Sequence, residues 1–402
     1  MAEWIKQIKS IYQNKRYDGS PSKPIVTKTA RELIKPIDEK FGVGIDYNSP
    51  DQVMREVLKL NIWQFSVAKN YNDNARLNNL LLRSDGSLRS WNEFKREAMF
   101  VVGESNRYLK TEYDTIVASA QMSRLWIEIQ RDKHIFPYVQ LIVVQDDRKS
   151  EICSPLHNLI FEVEDPVLAH YFPPNHFNCR TTAKKLRTGQ PSDNFTLPRI
   201  PEAFQNNVGI TGKIFTDKNK YIENTPDDVL NTADELSRRY EKYQRMQNDN
   251  NYYDVVFGDN GGLKATHKEH NFNSDTGKYE KEARDIIFNE GNEIIMLSEK
   301  APEGVKTPDG LLNEKIVDIK TVLGNNGSIG KNSIIDKIKD GNRQGCEIVI
   351  LQFPKESVHL FEKVDLEEDF KSSKKLLMSR NKEIKIKEVW VILDKEIKKF
   401  SY

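Results

Sequence analysis

The stretch TPDGLLNEKIVDIKT, residues 307–321, reads as two short strands joined at Asn313-Glu314, one near 310–313 and one at 316–321. Strand side chains alternate between faces, so Asp318 and Lys320 project from one side of the second strand while Ile319 enters a core on the other. Working outward, the apolar spacing predicts a helix at 277–289 and a strand at 293–298 before the hairpin. A helix at 332–342, a strand at 347–353 and late strands at 389–393 and 397–402 follow it. Helix, strand, strand, strand, helix, strand describes an α+β unit of about 150 residues, large enough to fold by itself.

That unit is only part of 402 residues, a length that implies two to three domains. Lys and Arg number 61 against 60 Asp and Glu, for a net charge of +1, which excludes a histone-like basic chain and an acidic tail but leaves room for opposed local patches. Hydrophobic residues at 38% and charged residues at 30% supply globular cores under a very polar surface. The apolar runs are strand-sized, far short of the ~20 residues of a membrane span. The opening MAEWIKQIKS lacks the apolar stretch of a secretion signal, so export is not expected. Cys153, Cys179 and Cys346 are too few for a disulfide framework, which favours a reducing compartment.

From residue 50 to about 129 the chain reads as amphipathic helices, broken into two groups at Asp85-Gly86. The texture changes at Pro137, where YVQLIVVQDD predicts a strand, followed by a Pro-punctuated α/β segment ending in FNCRTTAKKL. Residues 187–207 have linker composition, and TPDDVLNTADELSRRYEKYQRMQ predicts a charged helix with Thr225 as its N-cap and Pro226 at its first position. The fold class expected is multidomain α+β. A largely helical module with a small α/β segment occupies 1–190, a linker and charged helix 191–250, and an α+β domain 251–402.

The hairpin also carries chemistry. Pro308-Asp309 followed by Asp318-Ile319-Lys320 is the P-D…(D/E)-x-K arrangement, in which Asp309 and Asp318 hold Mg²⁺ and Lys320 positions or activates a water against a phosphate. Glu280 on the preceding helix offers a third oxygen. A salt-bridged hairpin without catalytic meaning has the same pattern. The helix at 332–344 aligns Ser333, Lys337, Asp340 and Gln344 on one face, a site face or a solvated one. Lys331, Lys337 and Arg343, with Gln344, would complete a nucleic-acid-binding surface around Lys320. Upstream, His267 and His270 lie in a Gly-rich approach read as unstructured; a metal-free ribonuclease would use such histidines as general acid and base.

In the middle region, Cys153, His157, His176 and Cys179 form C-x3-H followed by H-x2-C, a donor set suited to structural zinc; buried thiols with polar surface histidines are the alternative. The block EICSPLHNLIFEVEDPVLAHYFPPNHFNCRTTAKKL containing them resembles the signature segment of the Mu F-like phage head morphogenesis (minor head) proteins, over roughly residues 50–190. Ser150 and Thr181 stand where members of that family often carry further cysteines, which weakens the zinc reading. The resemblance implies portal and capsid partners, a place in the virion head, and delivery with DNA.

A second resemblance covers about residues 255–355. KATHKEHNFNSDTGKYEKEARDIIFNEGNEIIMLSEKAPEGVKTPDGLLNEKIVDIKT with NSIIDKIKDGNRQGCEIVIL is similar to the C-terminal toxin domains of contact-dependent growth inhibition proteins, which include tRNA-cleaving nucleases. It implies a catalytic face of Asp309, Asp318, Lys320, Thr321 and Ser333 with a histidine from His267 or His270, RNA or DNA as substrate, a cognate immunity protein as partner and the host cytoplasm as place of action. Without metal, Lys320 would stabilise the phosphate charge and Thr321 or Ser333 would donate hydrogen bonds. A purely structural head protein with an inactive nucleic-acid-binding domain, and a metal-dependent DNase, are the competing readings. No cofactor is fixed by the residues alone; Mg²⁺ in the last domain and Zn²⁺ in the head module are the ones expected.

Overall fold

The computed structural model describes residues 1–42, 49–300, 307–324, 329–330, 332–380 and 382–402. It is a mixed α+β chain of two compact units, Met1–Ser237 and Arg238–Tyr402. Among the described residues, no helix is long and apolar enough to cross a membrane.

The first unit is built on four helices: α1 (Ala2–Asn14), α2 (Lys23–Phe41), α3 (Pro50–Asn79) and α4 (Trp91–Asp132). Local chemistry sets their starts. Ser49 accepts from Gln52 N with Pro50 in the first turn, and Ser90 and Glu93 form a reciprocal capping box. The Asp85-Gly86 turn between α3 and α4 uses Gly86 at φ 81, which favours glycine. Trp4, Ile8, Ile11, Leu77, Phe94 and Val102 close one core. The long helices also bury charged groups that pair with a neighbouring helix. Lys69 reaches Glu112 at 2.6 Å and Lys59 reaches Asp38 at 2.7 Å.

The end of α4 enters a second core. Met122, Trp126 and Ile129 pack on a three-stranded antiparallel sheet ordered β2 (Ile160–Glu162), β1 (Tyr138–Ile142), β3 (Thr182–Leu186). The stretch after β3, which composition marks as a linker, is packed through residue 225. Asn61 in α3 donates to Phe215 O at 3.0 Å and accepts from Ile214 N and Phe215 N at 2.8 and 2.9 Å, while Phe65 stacks on Phe215. Its many Asn and Thr side chains bond backbone rather than solvent, as Asn207 does with Leu168 O. The charged helix expected from Pro226 onward is interrupted: a short turn at Asp227–Leu230 precedes α5 (Thr232–Gln247), and the division between the units falls within α5.

The second unit carries one eight-stranded sheet in the order β11-β10-β9-β8-β7-β6-β5-β4. In sequence the elements run β4 (Tyr252–Phe257), β5 (Leu263–His267), α6 (Gly277–Asn289), β6 (Glu293–Met296), β7 (Gly310–Leu312), β8 (Lys315–Thr321), α7 (Ser333–Arg343), β9 (Ile348–Phe353), α8 (Leu366–Ser379), β10 (Glu388–Leu393) and β11 (Glu396–Ser401). β6, β7 and β8 form an antiparallel meander, and α7 crosses to β9, which runs parallel to β8. Two strands were not expected. β4 and β5 enclose the Gly-rich turn at 258–262, and the approach to α6 read as unstructured is in part a strand parallel to β6.

The two sheet faces have different cover. Ala283 and Ile287 of α6 pack with Val317, Ile319, Ile348 and Ile350. Ile334 and Ile338 of α7 pack with Val349 and Leu351 on the other side. All six residues of β9 are buried, as a strand covered on both faces requires.

Asn61→Ala leaves two buried N–H groups and a carbonyl near residue 215 without partners. A loss of at least about 2 kcal/mol from the first unit is expected. Amide exchange at Ile214 and Phe215 checks it: unchanged protection there would show that Asn61 does not hold the segment.

Candidate functional site

β7 and β8 are in register with Gly310 opposite Val317, so Asp309 and Asp318 face one another across the hairpin. Asp309 Oδ2 accepts from Ile319 N at 2.6 Å, and Leu297 N donates to the Asp309 carbonyl at 2.9 Å. Gly310 allows this close approach, because a Cβ there would lie 2.5 Å from Ile295 O. Asp318 is 0% exposed. Its register partner is Val349 and that of Lys320 is Leu351, which places both on the α7 face. Gly341 of α7 passes directly over them, with its Cβ position 3.8 Å from Asp318 Oδ2 and 2.4 Å from Val349 Cγ2.

Lys320 Nζ lies 2.6 Å from Asp318 Oδ2. This ion pair is the closest polar contact of the buried Asp318 carboxylate, which Asp309 also approaches from the facing strand. Burial first, then Asp318 and Glu280, hold the Asp309 carboxyl well above the usual carboxylate range. Burial works against the Lys320 charge, yet Asp318 and Asp309 keep its ammonium above its ordinary value. At neutral pH Lys320 is therefore a cation that donates and attracts.

Glu280 in the first turn of α6 links this pair to a histidine. His270 Nε2 is 2.7 Å from Glu280 Oε1, and its Nδ1 is 3.0 Å from Leu297 O and 3.2 Å from Glu299 Oε1. The side chain of His270 is fully buried with both nitrogens engaged, and the carboxylates hold it above its ordinary value against the effect of burial. It orients Glu280 and is not placed to shuttle protons at the aspartates. His267 ends β5, where its Nδ1 accepts from Glu269 N and its ring lies edge-on to Tyr252; its contacts stay local.

The polar face of α7 is partly turned inward. Lys337 is half-buried, and burial and then Lys320 lower its pKa. Gln344 donates to Thr307 O at 3.0 Å and so pins the segment leading to Asp309. Ser333 opens the helix. Arg343 is exposed and pairs with Asp340 at 2.9 Å. Thr321 follows Lys320 by one residue, so strand alternation turns its side chain to the α6 face, away from Asp318 and Lys320. Lys331 lies outside the described residues. Three contributors escaped the sequence reading. Glu299 approaches His270, Gly341 clears the space over Asp318, and the buried Cys346 thiol is pushed up to about 12 by burial, then by Asp318 and Asp309. Gly341 in an otherwise regular helix was the legible signal among these.

In the first unit, donor atoms of Cys153, His176 and Cys179 lie within 4.8 Å of one another. His157 does not join them; its Nδ1 accepts from Val143 N at 3.2 Å.

Residues 82–184, spanning α4 and the three-stranded sheet, match the family described as Phage Mu protein F like protein. Within the curated proteins, the chain is 26% identical over 135 residues to capsid assembly protein F of Escherichia phage Mu, a match covering 31% of this chain and 31% of that protein. The matched region thus spans about a third of the relative's length. No solved structure matches the chain.

Asp309 offers a test by titration. Its carboxyl holds a proton to higher pH when folded than in the unfolded chain, which releases it near about 4. Its stabilisation is complete below that value and is lost as pH rises through its raised folded value. In EDTA, denaturant-dependent amide exchange in β8 and β9 is expected to report stability that falls as pH rises above the unfolded carboxyl value of about 4 and through the raised folded value of Asp309, and Asp309→Asn to flatten the fall. An identical decline in the variant would remove Asp309 as its source.

Proposed function

We propose that this chain is a phage head morphogenesis protein whose C-terminal unit is a metal-dependent nuclease. The observation that carries the enzyme half is the fully buried Asp318 carboxylate, paired with Lys320 at 2.6 Å and facing Asp309 across the hairpin, within a helix-meander-helix-strand unit. Two carboxylates buried together are unstable unless a proton or a cation joins them, and oxygen donors of this kind suit Mg²⁺. Asp309 and Asp318 would hold the ion, while Glu280 converges with His270 and Glu299 and acts on Asp309 through its charge. When bound, it would neutralise charge on a phosphodiester and lower the pKa of a water.

The chain's own groups do the rest. Lys320, charged and less buried than Asp318, attracts the phosphate oxygen and orients the attacking water. Lys337 adds a second positive group on the same face. His270 and Glu299 hold Glu280 in place. A histidine-driven, metal-free cleavage is disfavoured, since His270 has both nitrogens occupied and His267 makes only local contacts. The head half rests on the Mu F-like match, which supports capsid or portal partners and a place in the virion. RNA, and tRNA in particular, is the substrate favoured by the resemblance to contact-dependent inhibition toxins.

The full chain is to be incubated with total tRNA and with plasmid in Mg²⁺, with and without EDTA. Cleavage that EDTA stops is expected, and Asp318→Asn and Lys320→Ala should each lower the rate by at least about 100-fold with circular dichroism unchanged. Failure to cleave either substrate would overturn the nuclease reading, and cleavage that persists in EDTA would overturn the metal.

A further inference from the structure

Cys153 caps the 3₁₀ turn Ser154–Leu156, while His176 and Cys179 sit in the turn that follows Pro173-Pro174. The two segments meet at the sulfurs, where Cys153 Sγ and Cys179 Sγ are 3.6 Å apart and both residues are buried in the core under β1. That separation is too long for a bond between the sulfurs. It is close to the edge of a tetrahedron with zinc–sulfur bonds of about 2.3 Å, which measures about 3.8 Å.

The histidine supplies the independent observation. His176 Nδ1 is 2.7 Å from Phe177 O; a carbonyl only accepts, so the proton is on Nδ1 and the lone pair is on Nε2. Nε2 is buried and faces the Cys179 thiol, its nearest polar neighbour. A metal-binding histidine has this arrangement, one ring nitrogen tied to backbone and the other aimed at the ion. Thr181 Oγ1 is also buried and reaches both thiols.

We infer that Cys153, His176 and Cys179 form a binding site for a zinc-class divalent cation, with Thr181 Oγ1 or a water as fourth ligand. The cation clips the turn at Cys153 to the His176–Cys179 turn, a cross-link that a three-stranded sheet lacks by itself. Its role is structural, in the first unit, and it stands or falls separately from the nuclease reading.

The test is metal analysis of the full chain purified without chelator, with Co²⁺ substitution as second readout. About one zinc per chain is expected, also in the Asp318→Asn background, with thiolate-to-cobalt charge-transfer bands that reveal sulfur ligation. Cys179→Ser and His176→Ala should lose zinc and bands. His176→Cys should regain both, and His157→Gln and Cys346→Ser should keep both. The proposal is overturned by folded wild-type protein that neither holds zinc nor develops the cobalt bands. It is equally overturned by a Cys153–Cys179 disulfide in protein isolated with zinc and without reductant, or by full zinc retention in His176→Ala.

Discussion

A fully buried carboxylate, Asp318, facing the partly buried Asp309 is the constraint around which the C-terminal unit is arranged. Like charges in a poorly solvated place repel, and the cost is met only by a proton, a cation or a neighbouring ammonium. Each feature near them answers that demand. Gly310 lets β7 approach β6 so that Asp309 reaches its position, Gly341 clears the space above Asp318, and Lys320 supplies positive charge. Gln344 and His270 then hold the flanking segment and Glu280. A sheet built for stability alone would place apolar residues at these two positions.

The first unit handles buried polarity in another way. Asn61 satisfies three backbone groups of a segment some 150 residues later, and Lys69 is matched by Glu112 on the adjacent helix. These partnerships fix one packing, because any shift leaves a buried group unpaired. His176 Nε2 belongs to a different class, because it converges with the sulfurs of Cys153 and Cys179.

The local half of this organisation was legible. Periodicity placed α3, α4, α6, α7 and the β7-β8 hairpin, and alternation put Asp318 and Lys320 on one face. Alternation also assigns Thr321 to the opposite face, against the role that family resemblance implied for it. β4 and β5 were hidden because Gly and Asn around 258–262 look like loop, while their pairing with β6 depends on a partner far along the chain. For the same reason a spacer was expected where composition is rich in Pro and Asn, although Phe215, Tyr221 and Thr225 there are bonded to Asn61 and Asn72 of α3.

The sequence by itself determined most element types and the division into a helical first part and a sheet-based last part, and it singled out Asp309, Asp318, Lys320, Cys153, His176 and Cys179 as candidates. Only the tertiary structure decided which of them meet. It joined Glu280 to His270 and Glu299, separated His157 from the thiols, and turned the polar face of α7 toward Lys320. The reason is physical: propensity and periodicity act over a few residues, whereas burial, charge repulsion and donor convergence depend on which distant segments share a volume.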